Sequence, residues 1–121
     1  MATAQQRMAL GGYGEAQAAR FLVEQGMVVL DRNWRCDLGE VDLVLRDGSV
    51  LVFCEVKTRA TEAYGSPLEA VTHVKVARLR RIAARWMHEH HVHAEEVRLD
   101  LVGVLLDGSG PGRVEHVRGV G

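Results

Sequence analysis

Asp42, Glu55 and Lys57 are the residues of this chain whose types and spacing most directly suggest chemistry. They lie in two β-rich runs, Glu40 to Arg46 and Ser49 to Lys57, joined by Asp47-Gly48. An Asp-Gly pair between such runs is a strong hairpin signal. A two-residue loop there pairs Arg46 with Ser49, which sets Asp42 opposite Phe53 and Glu40 opposite Glu55. Side chains alternate along strands, so Glu40, Asp42, Glu55 and Lys57 are expected on one face. Like charges directly opposed destabilise a strand pair by roughly 0.2–1 kcal/mol, so something should compensate. A divalent cation such as Mg²⁺ or Mn²⁺ suits the role, because hard cations prefer oxygen ligands and are held by one or two carboxylates. Lys57 would then orient the attacking water or offset charge developing on a phosphate. The chemistry implied is metal-assisted phosphodiester hydrolysis. The same spacing also fits a cross-strand ion pair on a wet face, and a three-residue loop would move Asp42 to the other face.

Several elements must position this hairpin. Val41, Leu43 and Leu45 are expected to meet Val50, Val52, Cys54 and Val56 as a core on the face away from the acids. Gly14 to Gln25 reads as a helix with Ala18, Ala19 and Leu22 on an apolar stripe. Glu15 shares that stripe, and a carboxylate there must find a partner, be neutralised or sit at the solvent boundary. Met27 to Leu30 suggests a short strand, followed by an irregular segment from Asp31 to Gly39. Thr58 to Pro67 reads as a loop. A long helix is expected from Leu68 to about His90, with Leu79, Ile82, Ala83 and Trp86 at core-facing spacing. Strands are expected over Val97 to Leu106 and Arg113 to Val117, separated by a turn-rich stretch. The result is an α/β fold, a mixed sheet flanked by helices.

The second helix has a basic flank: Lys75, Arg78, Arg81 and Arg85 recur at helical spacing with no intervening acid. Such a flank either grips a nucleic-acid backbone or is a solvated face. Arg59 offers the same choice between phosphate contact and surface charge. In the run His88-Glu89-His90-His91-Val92-His93, His88 and His91 stand one turn apart, as do Glu89 and His93. That spacing permits a metal site, whereas histidines ending a helix also suit its negative dipole. Asp100 either orders the site or pairs with an arginine. Trp34 and Tyr64 are placed near the cleft mouth, for base stacking or for packing.

Composition narrows the class. A chain of 121 residues, 47% hydrophobic and 26% charged, supports one domain spanning 1–121, with its core at about 12–106. The net charge of −1 argues against a globally basic surface, so attraction for phosphate must come from a local patch. Two cysteines, Cys36 and Cys54, are too few for a disulfide framework and read as reduced thiols. No apolar run approaches the roughly 20 residues of a membrane span, and the N-terminus lacks the pattern of a signal peptide. A cytoplasmic location without membrane contact is expected.

The strings Gly39-Glu-Val-Asp-Leu-Val44, Val52-Phe-Cys-Glu-Val-Lys-Thr-Arg59 and Gly12-Tyr-Gly-Glu-Ala-Gln-Ala-Ala19 resemble the YraN family of small bacterial proteins. The resemblance runs from about Gly12 to Leu101 and takes in Asn33, the Tyr64-Gly65-Ser66-Pro67 loop and Lys75. It implies a restriction-endonuclease-like fold with an αβββαβ core and the PD-(D/E)xK motif, related to archaeal Holliday junction resolvases. Asp42 then matches the first acid, Glu55 the second and Lys57 the lysine, while Glu15 matches a first-helix acid of the resolvase-like branch. Asp42, Glu55 and the Val56 backbone carbonyl would be the metal ligands, with Glu40 a further candidate. The motif's proline is absent, since Val41 precedes Asp42. The expected function is a Mg²⁺- or Mn²⁺-dependent endonuclease acting on DNA, with structure selectivity and homodimerisation compatible with the resemblance. The alternative is an inactive nucleic-acid-binding or partner-binding domain of the same fold.

Overall fold

The computed structural model describes residues 4–60, 71–106 and 112–120, with side chains from residue 12 onward. Its elements are α1 (Ala4–Glu24), β1 (Val28–Cys36), β2 (Gly39–Asp47), β3 (Val50–Arg59), α2 (His73–Glu89), β4 (Val97–Leu105) and β5 (Arg113–Val117). The strands form one sheet in the order β1-β2-β3-β4-β5. Neighbours run antiparallel except β3 and β4, which are parallel. Two parallel neighbours need a long crossover, and α2 supplies it. The expected mixed α/β sheet flanked by helices is therefore the fold, and its order is compatible with a restriction-endonuclease-like core. None of the described helices is long and apolar enough to cross a membrane.

One helix covers each face. Ala18, Ala19 and Leu22 of α1 pack with Leu43, Leu45, Val52, Cys54 and Val56. Leu79, Ile82, Ala83 and Trp86 of α2 pack on the other side with Val44, Leu51 and Phe53. Both helical stripes are those the apolar spacing predicts. β3 alternates strictly between the two cores, as a central strand must when both faces are buried. Thr72 starts α2, its hydroxyl accepting from the Lys75 N–H at 3.4 Å, a common way to satisfy an otherwise unpaired helix donor.

Element ends shift: α1 starts at Ala4 rather than Gly14, β3 runs on to Arg59 where a loop is expected from Thr58, and α2 starts at His73 rather than Leu68. Three further expectations need correction. The hairpin turn is Gly48-Ser49, and Asp47 still pairs with Val50. Gly48 takes φ 61° at the first turn position, where tight hairpin turns need a positive φ. The pairing therefore slides by one residue on each strand, from Arg46 opposite Ser49 to Arg46 opposite Leu51. Continued, this register sets Asp42 beside Glu55 and Glu40 beside Lys57. Second, the segment from Asp31 onward is not irregular: it continues β1 to Cys36. A register shift between Val29 and Asp31 and a left-handed Asn33 at φ 50° break the two-residue period by which a strand is recognised. Third, Val41 leaves the core of Leu43 and Leu45 and joins that of α2. Two positions apart, Val41 and Leu43 would share a face in a regular strand, so β2 turns over at Asp42.

Candidate active site

The turnover of β2 builds the site. Along β3, the backbone groups of Leu51 and Arg59 bond away from β2: the Leu51 N–H donates to the Glu96 carbonyl, and the Arg59 carbonyl accepts from the Leu106 N–H. The alternate residues, Cys54 and Val56 among them, face β2. The β2–β3 pairing runs from Asp47↔Val50 to Leu43↔Cys54. At the next rung the Val56 N–H finds the Asp42 Oδ2 instead of a backbone carbonyl, at 2.7 Å. Asp42 thus sits in the gap where the two strands part. In an extended strand the N–H and C=O of one residue point to the same edge, so the Val56 carbonyl faces that gap too.

Glu15 reaches the gap from α1. The helix can come this close because position 14 is glycine: a Cβ there would lie 1.9 Å from Thr58 Oγ1 on β3. Only a residue without a side chain fits such an approach. Carboxylate oxygens of Glu15, Glu40 and Asp42 consequently lie within 4.8 Å of one another, the one such cluster of possible metal ligands among the described residues.

The electrostatics show the strain of this gathering. Burial, then the nearby Glu55 charge, pushes the Asp42 carboxyl up to about 8, with Glu15 and Glu40 adding and the Val56 N–H opposing. Burial also raises Glu15, against a hydrogen bond from Asn33 and one shared with Asp42. Burial raises Glu55 as well, although Lys57, Lys75 and Arg78 all pull it down. Lys57 Nζ stands 3.9 Å from Glu55 Oε1, and Glu40 accepts from Arg35. Glu40, Glu55, Lys57, Lys75 and Arg78 line a shared cavity of about 290 Å³ beneath α2. A concentration of raised carboxyl groups in a cleft is a known mark of functional sites.

The match to known proteins falls on these elements. Residues 14–104 match the model described as "Uncharacterised protein family UPF0102". The chain belongs to the UPF0102 family. A UPF0102 protein of Nocardioides sp. is 60% identical over 115 residues, covering 95% of this chain and 93% of the relative. One from Beutenbergia cavernae is 60% identical over 113 residues, covering 93% and 96%. The UPF0102 protein SCO5602 of Streptomyces coelicolor is 56% identical over 116 residues, covering 94% and 89%. The UPF0102 match begins at Gly14, the glycine that seats α1, and takes in all three acids of the cluster with Glu55 and Lys57.

Other residues singled out by the sequence separate by environment. Lys75 and Arg78 face the cavity, Arg81 is exposed, and Arg85 is tied to Asp37 through Oδ1. Arg59 is half-buried at the end of β3. The histidine run joins no metal-ligand group among the described residues. His90 instead stacks on Trp86 with ring centres 4.2 Å apart, and Trp86 Nε1 donates to Asp31 Oδ2 at 3.0 Å. Trp34 packs beside the α2 core and meets His90 edge-on, while Tyr64 lies outside the described residues. Asp100 is fully buried and pairs with Arg98, accepting from Nε at 2.8 Å, and also from His116 Nε2 at 2.8 Å and the Gly119 N–H at 3.1 Å. Sequence reasoning missed Gly14 and Thr58 as the seat of Glu15. The available signal was a glycine inside a helix directly before an acid, which often marks close backbone approach.

Proposed function

We propose that this UPF0102 protein is a divalent-cation-dependent nuclease that hydrolyses nucleic-acid phosphodiesters, DNA above all. The carrying observation is that α1 and β2 bring Glu15, Glu40 and Asp42 within 4.8 Å of one another at the parting of two strands, with Glu55 and Lys57 of β3 beside this cluster and not part of it. The donor set fits Mg²⁺ or Mn²⁺, since it consists of hard carboxylate oxygens with the Val56 carbonyl facing the same gap. A bound cation would supply Lewis-acid polarisation of the phosphate and neutralise its charge. Asp42 is held for this task by the Val56 N–H, which fixes one of its carboxylate oxygens. Glu55 and Glu15 approach from opposite faces of the sheet, so the donors surround the gap. Lys57, held near Glu55, places a positive charge where a phosphate's non-bridging oxygen would lie and orients the attacking water. That water's oxygen forms a bond to phosphorus as the bond to the leaving oxygen breaks, and one of the water's protons ends on the leaving oxygen, giving a phosphomonoester and a hydroxyl.

Isothermal titration of Mn²⁺ and Mg²⁺ into wild type and into folded Asp42→Ala, Glu15→Ala and Glu55→Ala variants tests the reading, paired with a cleavage assay. The expected result is cation binding in wild type that weakens or is lost in each variant, with cleavage lost alongside. Wild-type protein that binds no divalent cation, with or without an oligonucleotide present, would overturn it. Cation and oligonucleotide binding without cleavage of duplex, junction, flap or single-stranded substrates would replace it with a binding domain of the same fold.

A further inference from the structure

We infer that Lys75 and Arg78 form a phosphate subsite beside the acid cluster, which grips the backbone next to the bond cut and does so without regard to base sequence. The inference rests on the nuclease reading and deepens it by naming how the substrate is recognised. Lys75 and Arg78 stand one helical turn apart on α2, and Lys57 comes from β3, so three cations from two elements enter one cavity of about 290 Å³. All three act on the Glu55 charge, although Arg78 is itself exposed to solvent. Arg78 is also braced: a Cβ at Gly39 would be 3.4 Å from both its Cδ and the Ile82 Cδ1, so its stem lies between the turn after β1 and the buried face of α2.

The rest of the lining decides what the subsite reads. Beyond the charged groups, Leu79 and Ile82 close the cavity. Among the described residues, no asparagine, glutamine, serine or threonine lines it, so the neutral side chains that pair with base edges are missing from this part of the wall. Cations beside carboxylates, backed by apolar side chains, suit a sugar-phosphate backbone. Contacts of that kind set position and carry no sequence information. The same geometry separates the four helix cations that the sequence places on one flank. Of the four, Lys75 and Arg78 line the cavity, whereas Arg85 is engaged with Asp37 and Arg81 is not among the described residues lining it, so Lys75 and Arg78 form the subsite.

Fluorescence anisotropy with labelled single-stranded oligonucleotides of several sequences, in EDTA to prevent cleavage, tests this at a series of salt concentrations. Lys75→Ala and Arg78→Ala should each weaken binding by about tenfold, equally for every sequence, and flatten the logarithmic salt slope by about 0.7. Arg78→Lys should retain the slope. Arg81→Ala should change affinity less than about twofold, and thermal melts confirm that each variant folds. Unchanged slopes in Lys75→Ala and Arg78→Ala, or a loss confined to one oligonucleotide sequence, would overturn the inference while the cation titration above still stands. An absence of oligonucleotide binding in wild type would overturn it as well, and the titration decides separately whether the cation site survives.

Discussion

Replacing Asp42 with asparagine is expected to stabilise the cation-free protein at neutral pH, although it removes a buried group from the centre of the site. Asp42 is 8% exposed, and burial with the adjacent Glu55 charge pushes its carboxyl up to about 8 from an ordinary value of 3.8. Between those two values the folded chain holds a proton that the unfolded chain releases. Stability contributed by that proton is therefore lost as pH rises through the window, at about 1.4 kcal/mol per unit. From pH 5 to pH 7, Asp42 should account for a decline on the order of 2–3 kcal/mol. Asparagine keeps an oxygen to accept from the Val56 N–H and carries no charge for Glu55 and Glu15 to repel. Urea unfolding in EDTA at pH 5, 6, 7 and 8 measures both proteins, and their difference isolates the contribution of Asp42. The variant should be the more stable at pH 7, with a pH dependence flatter by the amount above. A variant less stable than wild type at pH 7, or one with the same slope, would refute the account of Asp42 as a carboxyl that must take up a proton to stay buried in the absence of a cation.

Other consequences can be measured with the same unfolding assay. Saturating Mn²⁺ at 100 times its dissociation constant should stabilise wild type by about 2.7 kcal/mol and Asp42→Asn by much less. Gly14→Ala should cost about 1–3 kcal/mol through overpacking against Thr58. It should also weaken Mn²⁺ binding by displacing Glu15, and Thr58→Ala added to it should recover part of both. Unimpaired Mn²⁺ binding in Gly14→Ala would show that Glu15 does not need this seat. Asp100→Ala should destabilise by about 3–5 kcal/mol, because Arg98, His116 and the Gly119 N–H lose a common buried acceptor. Burial alone would raise the Asp100 carboxyl, but these donors hold it below its usual value. Its stabilisation is therefore lost as pH falls below about 3.8, and acid titration of the wild type against Asp100→Ala should show the difference narrowing there.

Elements whose sequence period survives folding were legible, and those built from irregularities were not. The stripe Leu79, Ile82, Ala83, Trp86 and the pair Ala18, Ala19 with Leu22 announced both helices and the faces they bury. The hairpin was visible too, with its register out by one residue per strand. β1 was half hidden, since the register shift after Val29 and the left-handed Asn33 erase alternation where the strand continues. For the same reason the position of Asp42 between strands was out of reach: periodicity describes faces, and this carboxylate occupies a gap. Glu15 was recognisable as an oddity on an apolar stripe, but its meeting with Glu40 and Asp42 depends on a tertiary contact between Gly14 and Thr58. Asp100 reads from the sequence either as ordering the site or as pairing with an arginine, and it pairs with Arg98; its second partner, His116, comes from a strand far along the chain and was not legible.

The two interruptions in β1 have a consequence for how the protein behaves at high concentration. β1 is the outer strand on its side of the sheet, and Val28 and Leu30 are exposed on it at 44% and 45%. A long, flat, apolar outer strand invites other chains to add to it and is a route to fibrous aggregates. Here the row of unpaired backbone groups is broken near Leu30 and again at Asn33, so an incoming strand would find only short stretches in register. Straightening this strand, for instance by replacing Asn33 with a β-branched residue, would remove one of these breaks and trade solubility for regularity.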